Sequence, residues 1–368
     1  MKIALLGFGT VGSHFYKLCE GRSDLQITAV LSRRPRPELT CTVTADYDEI
    51  VRDPSIDIVV EVMGGIEPAY SYLYAAMRAG KHVVTANKQL MCARFDALTA
   101  LSKEMGVALR CTAAAGGGIP WLTSLSRASQ LDEIAAVEGI LNGTTNYMLS
   151  AMTNSGADYA AALQKAQELG YAEADPTADV EGLDARRKLV LSADLAFGVN
   201  IKEEDIPCVG ISSITAADIA RAKKEGLTYK LIARAEKSGN AVAAFVCPTL
   251  FPSSAPEAHT DGTGNLATLY AARFGRQSFS GAGAGGYPTG SSVLRDCLDI
   301  ADGCRSFYAD SFVPRPVNLS GMQGKWLFRC MGETFVRECS AREAFDAYES
   351  YRKDDPHALL ARYAAEEE

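Results

Sequence analysis

The sequence predicts an α/β protein: a doubly wound parallel sheet, followed by a second domain of α+β type. Three observations carry this. Short apolar runs alternate with helix-period segments from residue 1 to about 118, the rhythm of strands joined by crossover helices. The glycine-rich run "LLGFGTVG" sits between the first strand and the first helix. After residue 130 the alternation stops, and several helices precede a set of strand-like runs.

Taken in order, the first-domain strands are expected at Lys2–Leu6, Ile27–Leu31, Ile56–Met63, His82–Thr85 and Val107–Cys111. Helices are clearest at Ala69–Ala79 and Arg94–Met105. The second domain should open with a strand at Glu133–Leu141. Helices follow near Thr145–Met152, Tyr159–Leu169, Asp184–Phe197 and Ala216–Glu225, then strands at Tyr229–Glu236 and Ala241–Cys247. The Pro/Ser-rich stretch 248–256 reads as a loop, and "SGAGAGGYPTGSSVLRD" (280–296) leads into a helix. After Asn318 we expect a strand pair, Trp326–Cys330 with Thr334–Arg337, and two polar helices ending at Glu366-Glu367-Glu368. The expected division is residues 1–130 for a dinucleotide, 131–285 for substrate, 286–317 as a helix returning to the first domain, and 318–368 as a tail without a readable role.

Composition narrows the function. The chain has 368 residues, 47% hydrophobic and 22% charged, with a net charge of −8. That balance argues against nucleic-acid or anionic-membrane partners, and no apolar run has the length of a membrane span. The ten cysteines show no CxxC pair or zinc-like spacing, so reduced thiols in a cytoplasmic protein are expected. A strand starting at Lys2 leaves no room for a leader peptide.

Gly7, Gly9 and Gly12 have G-x-G-x-x-G spacing. The first permits a tight turn, the second lets a pyrophosphate approach the backbone, and the third allows close helix–strand packing. Set between strand and helix, this is a Rossmann-type dinucleotide site formed by Gly7, Phe8, Gly9, Thr10, Val11 and Gly12. An acid at the end of the second strand would favour NAD; the chain instead carries Ser32, Arg33 and Arg34. A guanidinium there suits a 2′-phosphate, which tilts the expectation to NADP over NAD. Solvated surface arginines are the plain alternative.

"GYAEADPTADVEGLDARRKL" (170–189) places Glu173, Asp175, Asp179, Glu181 and Asp184 ahead of Lys188. The acid spacing does not fit a calcium loop. Asp184 and Lys188 stand four residues apart on a predicted helix and share a face. An ordinary surface ion pair is the plain reading, and a carboxylate–amine site the functional one. Asp175, Asp179 and Glu181 could cap helices or orient the loop.

With "DIVVEVMGG" (57–65), "GKHVVTANKQL" (80–90), "EGILNGTTNYML" (138–149) and "GAGAGGYPT" (281–289), this segment closely resembles the homoserine dehydrogenase family. The likeness runs in order from residue 1 to about 300. It implies reversible oxidation of L-homoserine to L-aspartate 4-semialdehyde with NAD or NADP, on the route to threonine, methionine and isoleucine. Lys188 would be the acid/base, with Lys88 at the junction of nicotinamide and substrate. Glu173 and Asp184 would hold the amino acid. Thr85, Asn87, Gly170, Gly283 and Gly285 would join the cofactor contacts. The backbone carbonyls of Thr112, Ala115, Gly117 and Ile119, in "CTAAAGGGIP", would hold a monovalent cation such as sodium; a glycine hinge is an equal reading of that loop. The family also implies a homodimer or homotetramer. Many members carry a C-terminal amino-acid-sensing domain, and the residues after Asn318 read as too short for one, so insensitivity to threonine is expected. The competing functions are a related oxidoreductase on another amino or hydroxy acid, and a nucleotide-binding protein without catalysis.

Overall fold

The computed structural model describes residues 1–304 and 312–365. Contacts divide the chain into two compact units, Met1–Arg127 with Ala282–Phe312, and Ala128–Gly281 with Val313–Glu368.

The first unit is built on strands β1 (Lys2–Leu6), β2 (Gln26–Leu31), β3 (Thr42–Thr44), β4 (Ile58–Glu61), β5 (His82–Thr85) and β6 (Leu109–Arg110). They form one parallel sheet in the order β3-β2-β1-β4-β5-β6. The order reverses at β1, so ligand sites are expected in the crevice at its carboxyl end. Helices α1 (Thr10–Cys19), α2 (Tyr47–Arg52), α3 (Ala69–Arg78) and α4 (Lys88–Met105) make the crossovers. Both faces of the sheet are covered, so β1 and β4 are apolar without alternation and almost wholly buried. The short β3 and α2 were not legible: β3 is a three-residue, half-exposed edge strand.

Helix α5 (Trp121–Leu131) carries the chain onward. It too escaped the sequence reading. In the second unit, β7 (Ile134–Ile140) is followed by α6 (Gly143–Ser155), α7 (Tyr159–Glu168), the single turn α8 (Thr177–Val180) and α9 (Leu183–Phe197). A short β8 (Val199–Asn200) and α10 (Ala216–Lys224) lead to β9 (Leu227–Ser238) and β10 (Ala241–Pro252), an unbroken antiparallel hairpin. Residues 248–252, expected in a loop, therefore continue β10. Strands β11 (Gly264–Ala271) and β12 (Gly275–Ala282) were also unforeseen.

Helix α11 (Gly286–Ala301) returns to the first unit, where it packs on α1. Gly290 makes that packing close: a β-carbon there would meet the Phe15 backbone at 3.2 Å. Beyond β13 (Val313–Pro314), which pairs with β8, the chain forms β14 (Gln323–Cys330), β15 (Glu333–Ser340), α12 (Ala341–Asp354) and β16 (Leu359–Tyr363). The strand pair matches expectation. The second polar helix does not form; that stretch is β16, whose Leu359, Leu360 and Ala361 are buried, and Glu366-Glu367-Glu368 lie outside the described residues. These strands complete an eight-stranded sheet, β12-β11-β7-β9-β10-β16-β14-β15. Trp326, Phe328, Phe245 and Phe345 form one aromatic core beneath α12.

Candidate active site

In the first unit, the glycine turn has the geometry a dinucleotide needs. Gly7 has φ +101°, and a β-carbon there would press on Val62 and Met63 at 3.0–3.1 Å. Gly12 is tighter still, 2.3 Å from the Gly7 carbonyl oxygen. A β-carbon at Gly9 would meet nothing within 4 Å, so that side of the turn is open. No side chain caps α1, which leaves the first N–H groups, beginning at Thr10 and Val11, available to an anion. The residues present fit a pyrophosphate.

Beyond β2 the chain lines a pocket of about 430 Å³ with Ser32, Arg33, Arg34, Arg36 and Thr44. Arg33 and Arg34 are exposed. Arg36 was not singled out from the sequence. Its guanidinium lies 5.1 Å from the centre of the Phe8 ring and donates to the Phe8 carbonyl at 3.4 Å. This ties the arginine loop to the glycine turn, a link that sequence distance hid.

At the carboxyl ends of β4 and β5, Thr85 is fully buried. Its hydroxyl donates to Glu61 at 2.5 Å and accepts from the Asn87 N–H at 3.0 Å. Thr85 therefore supports the site from beneath. Asn87 caps α4 by accepting from the Leu90 N–H and donates to the Gly65 carbonyl at 2.6 Å. Helix α4 consequently begins at Lys88, its half-exposed first residue, and kinks at Arg94 (φ −138°, ψ 19°), where the periodicity places the start of the helix.

The loop 112–119 starts as a 3-10 turn at Thr112–Ala114. Gly116 and Gly117 have φ +87° and +57°. Glycine is required at 117, because a β-carbon would lie 2.4 Å from the Gly283 backbone. The Gly117 carbonyl accepts from Ser292 at 2.6 Å, and the Ile119 carbonyl from the Trp121 N–H at 2.7 Å. Helix α11 braces this loop further, as Asp296 accepts from the Thr112 N–H and pairs with Arg110. Gly285, at φ +119°, precedes α11.

The second unit gathers the acids. Asp184 and Lys188, on the first two turns of α9, form an ion pair of 2.7 Å, each with only a tenth of its side chain exposed. The Lys188 ammonium also donates to the Leu141 carbonyl at 2.6 Å. Asn142, the N-cap of α6, donates one amide nitrogen to both Asp184 at 2.9 Å and Asp179 at 2.7 Å. Its oxygen accepts from Thr145. Burial pushes the Asp179 carboxyl above its ordinary value; the Asn142 bond lowers it, and the nearby Asp184 charge raises it again. Asn142 was missed because only the fold sets it beside α9, although "NGTT" has the spacing of a helix cap.

The remaining acids stand apart from this cluster. Asp175 accepts from Thr177 and closes a turn before α8. The backbone carbonyl of Glu181 accepts from Cys208. Glu173 is exposed, with its backbone carbonyl bonded to Gln167. Gly170 provides a left-handed turn after α7, at φ +74°.

The sequence model for homoserine dehydrogenase matches residues 120–298, and that for its NAD binding domain matches residues 7–111. A homoserine dehydrogenase of Corynebacterium glutamicum is 43% identical over 320 residues, covering 81% of this chain and 71% of its own. That of Bacillus subtilis is 39% identical over 319 residues, covering 83% and 74%. The chain belongs to the homoserine dehydrogenase family. The crystal structure of a homoserine dehydrogenase from Thiobacillus denitrificans, 28% identical, superimposes with a TM-score of 0.91 over 99% of this chain and 98% of the other. Family membership makes the chain an oxidoreductase with a nucleotide-binding domain. The ten cysteines form no disulfide with one another, and no helix among the described residues is long and apolar enough to cross a membrane.

Proposed function

We propose that the protein interconverts L-homoserine and L-aspartate 4-semialdehyde with Lys188 as the acid/base. The observation that carries this is the buried ion pair of Lys188 and Asp184. A nicotinamide dinucleotide held at the Gly7–Gly12 turn would supply the hydride acceptor for the oxidising direction. The hydroxyl proton must leave at the same time, and the amine form of Lys188 takes it at Nζ. In the reducing direction the ammonium stabilises the developing alkoxide and returns the proton. Asp184 and the Leu141 carbonyl hold Nζ in place. Burial of both partners strengthens the pair and ties Lys188 to one rotamer.

Asp184 and Glu173 are assigned to the amino-acid substrate, and Asp179 joins them through the shared Asn142 amide. A zwitterionic substrate needs carboxylates for its ammonium group, and these acids are the supply. Lys88 adds a cation at the head of α4, where it can stabilise negative charge at the reacting oxygen. The cofactor is assigned to Gly7, Gly9, Gly12, Thr10 and Val11, with Asn87, Gly170, Gly283 and Gly285 as further contacts. The pocket around Arg33 supports NADP over NAD. The carbonyls of Thr112, Ala115, Gly117 and Ile119 are assigned to a monovalent cation such as sodium; each carbonyl has two lone pairs, so the bonds to Ser292 and Trp121 leave capacity. A homodimer or homotetramer in a reducing cytoplasm completes the reading.

The deciding experiment is NAD(P)-dependent oxidation of L-homoserine by wild type and Lys188→Met. The variant should lose about 10²–10⁴-fold in kcat, the span usual for a general acid–base. An unimpaired variant removes Lys188 from the chemistry, and an inactive wild type removes the activity itself.

A further inference from the structure

Glu61 ends β4 at the carboxyl edge of the parallel sheet and is fully buried. A buried carboxylate is costly unless its oxygens are satisfied. Three neutral donors meet it: the N–H groups of Met63 at 2.7 Å and Gly64 at 3.2 Å, both to Oε1, and the Thr85 hydroxyl at 2.5 Å to Oε2. The mechanism above gives this charge no role.

An ionised carboxylate can only accept. That property sets the direction of every bond beyond it. Thr85 must spend its one proton on Glu61, so its lone pair faces the Asn87 N–H. Asn87 then caps α4 through Leu90 and grips the Gly65 carbonyl. The same carboxylate thus holds the Met63–Gly64 turn, which lies against Gly7, and the head of α4, whose first residue is Lys88. We propose that Glu61 is a positioning residue for Lys88, acting through the chain Glu61–Thr85–Asn87. The inference rests on the assignment of Lys88 to the reacting centre.

Glutamine at 61 keeps the shape but offers Nε2 as a donor. If that nitrogen faces Thr85, the hydroxyl oxygen accepts from both Nε2 and the Asn87 N–H, and its own proton loses the acceptor it had. If it faces the other way, it meets the N–H groups of Met63 and Gly64. The first leaves a buried donor without an acceptor and the second sets donors against each other, so either loosens the start of α4.

The test is steady-state kinetics, dinucleotide binding by NADPH fluorescence, and thermal melting of Glu61→Gln, Thr85→Val, Thr85→Ser, the Glu61→Gln/Thr85→Val pair and Lys88→Met. Glu61→Gln and Thr85→Val should each lose about tenfold or more in kcat, the scale of a small misplacement of a reacting group. Dinucleotide affinity should fall less than kcat. Thr85→Ser, which keeps the hydroxyl, should recover most of the rate, and the double variant should be no worse than the poorer single. Wild-type kinetics in folded Glu61→Gln, or equal losses in Thr85→Ser and Thr85→Val, would overturn the proposal. Should Glu61→Gln fail to fold, the Thr85 pair decides alone. Active Lys88→Met would instead overturn the role of Lys88 itself, whereas inactive Lys88→Met beside normal Glu61→Gln would sink only the positioning.

Discussion

Asp179 pairs its carboxylate with an amide that Asp184 also uses. Two like-charged carboxylates drawn to one amide, one on each N–H, make a poor arrangement for stability in a half-buried site, as expected where function sets the charges. The sign of its effect on folding follows from its raised value. An acid that holds its proton more tightly when folded makes the native state less stable as pH rises from the ordinary aspartate range through the raised value. Asp179→Asn should remove that slope and raise Tm at neutral pH by roughly 1–2 °C, the shift for about 1 kcal/mol in a chain of this length. It should also raise KM for homoserine. Parallel pH–stability curves for variant and wild type would refute the account. Lys188 and Asp184 were readable from their i,i+4 spacing. The Asp179–Asn142 contact was not, because thirty-seven residues separate the partners and nothing local encodes their meeting.

Two elements behave differently from their local appearance. The loop 112–119 reads equally as a cation-holding loop and as a glycine hinge, and Ser292, Asp296 and Arg110 brace it on α11 and β6. A braced loop can present carbonyls in a fixed array, which a hinge cannot. Activity should therefore be higher in sodium than in choline chloride at equal ionic strength; identical rates would remove the cation and leave only the brace. The residues after Asn318 read as a strand pair and two polar helices without a readable role, but they supply three strands to the main sheet of the second unit and a helix beside them. Trp326 is wholly buried between Phe245 and Phe345, and its indole donates to the Cys339 carbonyl. Trp326→Ala should cost about 3–5 kcal/mol, as for other buried aromatic truncations, read as a lower urea midpoint. A loss below about 1 kcal/mol would mean this sheet extension is peripheral to stability. The strand character of β16 was hidden because buried and exposed sides do not alternate there: four consecutive residues, Leu359 to Arg362, are buried.

At the scale of the molecule, each unit has its own core, and a ligand of one need not stabilise the other equally. The glycine turn, the arginine pocket and α11 all lie in the first unit. NADP at about a hundred times its Kd should add about 2.7 kcal/mol to that unit, and equimolar NAD less. Arg33→Ala with Arg36→Ala should close the gap between the two cofactors. An unchanged gap would show that the pocket beyond β2 does not read the 2′-phosphate.

By itself, the sequence determined the parallel sheet, the Gly7–Gly12 turn and the helix that carries Asp184 and Lys188, because periodicity and close spacing act over a few residues. Only the tertiary structure decided that Asn142 joins the acid cluster, that Glu61 lies under Thr85, and that the tail belongs to the central sheet. Those contacts join segments far apart in the chain, where burial and hydrogen-bond satisfaction, rather than local propensity, select the partner.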